Sequence, residues 1–367
     1  MSMKDQIAAA QEQMKANLEH EFAGYTLQTP PSVGFGSNVD NLLQALVEQS
    51  EDTALIDGDN LNSRIGMDGS VEGTQWYLTN AAFGDLCHWT KTPVSFLKRL
   101  AKINEELAGE IMYTMIEKAF YAGPAKLLVI DSTSGRIEGI VGKDTYKPLS
   151  NLNIVEWAQS AMPGLGVSGS WLSGPNLRVT CVSEKLRVEP VKGDVVQFGM
   201  SLENSIHGDC SAKVCDYNLR LVCTNGMTAR EGRYMETVRH VGDVQHEVQK
   251  AIVKSAQRAE AIAPMLVQSA SRVLSANEVR SVKHFIADPA NGGSPKLDKQ
   301  STQIAMVEAQ KEGRAPDEVT LWNMINGVTE LAKEHKSVQR MVEIEALAFK
   351  TLRSNLQKYG YKMAGKV

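Results

Sequence analysis

From about Lys126 to Gly226 the apolar residues of this 367-residue chain recur with a period of two. In AKLLVIDS, RIEGIVG, NLRVTCVS, VVQFGMSLENS and AKVCDYNLRLVCTN they alternate with polar residues or form short runs, each bounded by Gly, Pro, Asn or Asp. Successive side chains leave a strand on opposite faces, so these segments read as strands. A parallel sheet needs a crossover helix between neighbouring strands, and only one helical pattern, Asn151 to Ala161, interrupts the run. The sheet is therefore expected to be antiparallel or mixed. Helical spacing appears on both sides of it: in the first 23 residues, from Val39 to Val47, around Pro93, and over most of the chain after Thr237. The expected class is α+β, a central antiparallel or mixed β-sheet flanked by N-terminal helices and a C-terminal helical region. Its boundaries fall at 1–120, 121–236 and 237–367, making one or two compact domains.

A hydrophobic content of 43% fills a substantial core at this length. No run approaches the length of a membrane span and the N-terminus is charged, so the sequence reads as a cytoplasmic protein with no membrane contact. The five cysteines, Cys87, Cys181, Cys210, Cys215 and Cys223, are odd in number and lack framework spacing, which suits a reducing compartment. Net charge is −9 over residues 1–120, 0 over 121–250 and +5 over 251–367. Overall acidity argues against coating duplex DNA by charge alone, whereas the gradient suits head-to-tail self-association.

Laid on a strand, AKVCDYNLRLVCTNG puts Cys215, Tyr217, Leu219, Leu221 and Cys223 on one face, read as the core face, and Asp216, Asn218, Arg220 and Val222 on the other. Cys223 then reads as a small buried hydrophobe, and Asn225-Gly226 as the turn that ends the strand. His207, Cys210, Cys215 and Cys223 carry soft ligand atoms, but their spacing lacks the two close pairs of a zinc site. GLGVSG follows a helix and precedes a strand, the reverse of a dinucleotide fingerprint. GIVGKD departs from a phosphate-binding loop, with Asp144 where a hydroxyl residue would hold magnesium. The remaining histidines, His88 and His240 among them, are scattered, so no cofactor, metal or catalytic group is expected from local motifs.

The segments LTNAAFGDLCHWTKTPVSFLKRL, GIVGKDTYKPLSNLNIVEWA, NSIHGDCSAKVCDYNLRLVCTNGM and TLWNMINGVTELAKEH occur in an order that resembles the phage/plasmid-like protein family, a domain of unknown function borne by phages, prophages and conjugative plasmids. The similarity spans roughly residues 74 to 353 and is most specific in RLVCTNGM and LWNMINGVTELAKEH. One departure is Asn204 to Ser211, NSIHGDCS here, where relatives often carry an Asn-Ser-His-Asp-Gly-Ser-like run. The resemblance implies a mobile-element context and no established activity.

Mobile elements replicate and transfer through single-stranded DNA, and binding it takes cations for phosphates and flat rings for bases. Outward sheet positions are expected to carry Arg178 and Arg220, and the sheet edges Arg136, Lys143, Tyr146 and Lys147. AREGRYMETVRH adds Arg230, Arg233, Tyr234 and Arg239. Ion pairs to Asp144, Glu231 and Glu236 would instead make these an ordinary solvated surface. The leading expectation is a non-enzymatic single-stranded-DNA-binding or annealing protein acting as a homo-oligomer, a ring or a filament, in replication, recombination or transfer. The alternatives are an anti-defence or host-interaction protein with an acidic mimic surface, and a metal-dependent nuclease built from dispersed carboxylates. Self-association is expected through the ends: an N-terminal helix bearing Ile7, Met14 and Leu18, and a C-terminal one with Ile344, Leu347, Ala348 and Leu352 on one face.

Overall fold

The computed structural model describes residues 32–34, 39–58, 65–66, 69–121, 124–220, 227–228 and 235–333, and in a C-terminal helical stretch 343–344, 347–348, 350–352, 354–355 and 358. The chain runs β1 (Ser32–Gly34), α1 (Val39–Asp52), β2 (Thr53–Asp57), β3 (Tyr77–Leu78), α2 (Asn80–Trp89), α3 (Val94–Ile103), α4 (Glu105–Tyr121), β4 (Lys126–Asp131), β5 (Arg136–Gly142) and α5 (Asn151–Ala161). It continues through β6 (Leu165–Ser173), β7 (Asn176–Val191), β8 (Asp194–Ser205), β9 (Ala212–Arg220), β10 (Met227–Thr228) and β11 (Met235–Val238). Helices α6 (Val244–Ser271), α7 (Ala276–Ala287), α8 (Pro295–Lys311) and α9 (Leu321–Lys333) follow. The fold is α+β, as the periodicities predict.

Helix starts sit where short polar side chains satisfy orphaned backbone amides. The Thr79 hydroxyl accepts from the Ala82 amide at the head of α2, and Asp243 accepts from the His246 amide at the head of α6. Ser275 and Glu278 form a reciprocal capping box on α7.

The period-two region makes two sheets, not one. Strands β6 to β9 are the centre of a seven-stranded antiparallel sheet ordered β1-β6-β7-β8-β9, with β10 and β11 sharing the far edge of β9. Strands β4 and β5 belong to a second sheet ordered β2-β4-β5-β3, mixed because β3 runs parallel to β5. One face of the large sheet, including Val179, Phe198, Met200 and Val214, packs on α5 and on Val248 and Ile252 of α6. Burying side chains of that size stabilises by roughly 1.5–3 kcal/mol each. Helices α2, α3 and α4 cover the small sheet with Leu86, Leu97 and Met112 against Leu128 and Ile140. Val129, Val141 and Ile206 form a separate apolar contact where the two sheets meet.

Strand β9 reverses the expected faces. Asp216 points at α6, where Arg258 grips it through two bonds of 2.8 Å and the Ser255 hydroxyl donates at 2.7 Å. Cys215 and Tyr217 lie on the opposite face, in register with Ser201 and Gly199, although both are buried. Alternation fixes which residues share a face, not which face is covered, and a buried ion pair made the polar set the helix-facing one. Arg220 pairs across from Val196 in the register, and its side chain lies outside the described residues.

The C-terminal expectation is corrected as well. Ile344, Leu347, Ala348 and Leu352 are each 2% exposed or less and belong to the main core, so that apolar face is spent within the chain. The N-terminal helix with Ile7, Met14 and Leu18, and the turn with Cys223, Asn225 and Gly226, lie outside the described residues. Cys87, Cys181 and Cys215 are buried free thiols whose pKa values burial pushes up to about 11, 12 and 11.

Candidate functional site

Four segments distant in sequence converge where the two sheets meet: the end of α2, the end of β5 with its following turn, the β8–β9 turn, and the residues after β11. They line a cavity of about 360 Å³ that is open to solvent. Its first wall is built by Tyr146, whose amide donates to the Gly142 carbonyl at 2.9 Å, closing a turn that carries the ring inward. The phenol donates to the carbonyls of Ser205 and Ile206, and the ring stacks on His240 with centroids 5.2 Å apart and planes 16° from parallel. His240 is fixed in turn by a two-way clasp with residue 147: the Lys147 amide donates to the His240 carbonyl at 2.8 Å, and His240 Nδ1 donates to the Lys147 carbonyl at 3.3 Å. That contact assigns the Nδ1 proton.

Two glycines make the close approach possible. A Cβ on Gly139 would stand 2.6 Å from the His207 side chain, and one on Gly208, where φ is +88°, would stand 2.8 Å from the Tyr146 ring. The opposite side carries Trp89, whose indole donates to the Ile140 carbonyl at 3.0 Å while the Lys126 ammonium lies 4.2 Å from the ring centroid. Asp85, one turn earlier on α2, accepts the Ile140 amide through Oδ2 at 2.9 Å.

Burial controls the charge inside. It raises the Asp85 carboxyl to about 7, the Ile140 amide holding it back and nearby Asp209 pushing it further up. It also outweighs Asp209 beside His207, and the carbonyls of Lys147 and Cys210 beside His240, so both imidazoles fall below their ordinary range and are neutral at pH 7. Glu138, buried beside Arg136, is raised for the same reason. The cavity lining therefore holds the Asp85 carboxyl and uncharged rings.

Of the ten residues expected to contact nucleic acid, two line this cavity and a third is next to one of them in the chain. Tyr146 forms its wall and Arg239 is exposed at its rim; Lys147, the exposed residue after Tyr146, is tied to His240 through its backbone but does not line the cavity, and among the described residues neither cation pairs with a carboxylate. The others are elsewhere. Arg136 binds Asp131 at 2.6 Å and Glu138 at 2.9 Å, and Lys143 binds Asp57 at 2.5 Å. Arg178 does face outward, beside Trp171 in register, but Glu203 takes it at 3.3 Å together with Lys213 at 2.9 Å. Arg230, Arg233 and Tyr234 lie outside the described residues. Glu236, a partner considered for the basic run, is engaged by Arg258 and Lys254 of α6.

Sequence reasoning missed Asp85, Trp89, His207 and His240 as parts of one site. The available signal was the NSIHGDCS run, which supplies the β8–β9 turn and the cavity's His207, Gly208 and Ser211. Among the described residues, no group of three or more His, Cys, Asp or Glu is disposed to hold a metal ion, and no helix is long and apolar enough to cross a membrane.

A family model described as Domain of unknown function (DUF932) matches residues 141–356, more than half of the chain, and the protein belongs to that family. No curated protein and no solved structure shows a significant match.

Proposed function

We propose that this protein binds single-stranded DNA without chemically altering it, as a homo-oligomer serving replication, recombination or transfer of a phage or plasmid in the bacterial cytoplasm. The observation that carries the reading is a cavity walled by Trp89 and the Tyr146–His240 stack, with Arg239 exposed at its rim and Lys147 exposed next to Tyr146, cations engaged by no carboxylate among the described residues. Cations beside flat rings are what a flexible strand with exposed bases requires, whereas a duplex buries its rings in its own stack. The exposed Trp171 beside Arg178 and Lys213, on the sheet face opposite α5 and α6, offers a second stretch of the same chemistry, with Glu203 compensating part of its charge. Mobility shifts with short single- and double-stranded oligonucleotides at two salt concentrations test the proposal. Retention of the single strand that weakens with salt is expected; equal retention of the duplex, or none of either, contradicts it.

A further inference from the structure

The geometry points to the cavity as a socket for one nucleobase turned out of a DNA strand, favouring bases with an exocyclic amino group, cytosine above thymine, through the free oxygen of Asp85. This inference rests on the single-strand reading above and adds what that reading does not contain, a binding orientation and a base preference. Orientation follows from where the charges lie. Arg239 is exposed at the rim with Lys147 exposed next to Tyr146, and the cavity lining holds Asp85 with two neutral imidazoles. A phosphate is repelled by the interior and held at the rim, so the base enters and the backbone stays outside. The cavity, at about 360 Å³, falls within the range of small-ligand sites, and its indole and stacked phenol–imidazole walls suit a flat ring.

Base preference follows from Asp85. Its Oδ2 is occupied by the Ile140 amide, while Asp85 lines the cavity and its Oδ1 has no partner among the described residues. An ionised carboxylate only accepts hydrogen bonds. Cytosine offers it the N4 amino group; thymine flanks its single N3–H with two carbonyl oxygens that the carboxylate repels.

Fluorescence anisotropy with oligo(dC) and oligo(dT) of equal length, at mildly alkaline pH where Asp85 is ionised, tests this on the full-length protein. Oligo(dC) should bind about tenfold more tightly than oligo(dT). Asp85→Asn, which keeps an acceptor for the Ile140 amide, should bring the ratio close to one, with folding checked by circular dichroism. A Lys147→Ala, Arg239→Ala double variant should weaken both oligomers and preserve their ratio. Equal affinities in the wild type, a preference for oligo(dT), or a cytosine preference that survives in folded Asp85→Asn would overturn the socket and leave strand binding standing. Failure to bind either oligomer at low salt would overturn both.

Discussion

Asp85 is held near a second carboxylate, and burial lifts its pKa to about 7 from an ordinary 3.8. Between those values the folded chain keeps a proton that the unfolded chain releases, so this residue's contribution to stability falls as pH rises from about 4 to about 7 and stays lost above. Asparagine resembles the protonated acid. Asp85→Asn should therefore match the wild type near pH 4 and exceed it increasingly up to neutrality, by on the order of 2–4 kcal/mol, in urea titrations across that range. His207 and His240 work in the opposite sense: their folded pKa values are depressed, so stability is lost as pH falls below their ordinary range. That loss is common to both proteins, and the difference between them isolates Asp85. A pH-independent difference would place the carboxyl elsewhere. Gly139 is the other residue on which the cavity depends, since a methyl there meets the His207 ring carbon at 2.8 Å. Gly139→Ala should cost about 1–3 kcal/mol by displacing that ring, read as a lowered midpoint in thermal melts.

At the scale of elements, the link between β9 and α6 is a bidentate ion pair in the main core. Arg258→Ala leaves the Asp216 carboxylate buried with only Ser255 to bond it and should cost about 3–5 kcal/mol. Replacing both partners, Asp216→Leu with Arg258→Met, should cost clearly less, because no charge is then stranded. Denaturant midpoints of the two variants decide the matter, and equal losses would mean that packing, not charge, holds this contact. The same pair explains what the sequence conceals. The period of two located the strands of the large sheet, and it placed Arg178 outward correctly. In β9 both alternating sets are buried, so no local signal says that the set containing Asp216 faces the helix; Arg258 lies 42 positions away. The cavity was partly legible for a related reason. Tyr146, Lys147 and Arg239 stood out as basic or aromatic residues, but the clasp that unites them joins residues 93 apart, and the glycines that admit His207 and Tyr146 have meaning only in three dimensions.

At the scale of the whole molecule, the C-terminal helical residues complete the core on which Trp322 and α9 also rest. Truncation before Ile344 should therefore reduce the cooperativity and midpoint of unfolding, instead of only dissociating an oligomer. Light scattering alongside circular dichroism separates these outcomes, and an intact fold in the truncated chain would contradict the packing seen here. With the C-terminal apolar face spent internally, the proposed homo-oligomer must use other surfaces, and deleting residues 1–23 tests the N-terminal one. The measurement that bears most directly on function is the salt dependence of single-strand affinity in two charge variants. Lys147→Ala with Arg239→Ala removes the exposed cation at the cavity rim and the one next to Tyr146; Arg136→Ala with Lys143→Ala removes as many charges that already have carboxylate partners. The expected result is that the first pair lowers affinity and flattens the slope of log K against log salt by about 1.4, at roughly 0.7 per phosphate contact on single strands, while the second leaves the slope close to the wild type. Equal effects of the two pairs, or an unchanged titration in the first, would contradict a binding site at the cavity mouth.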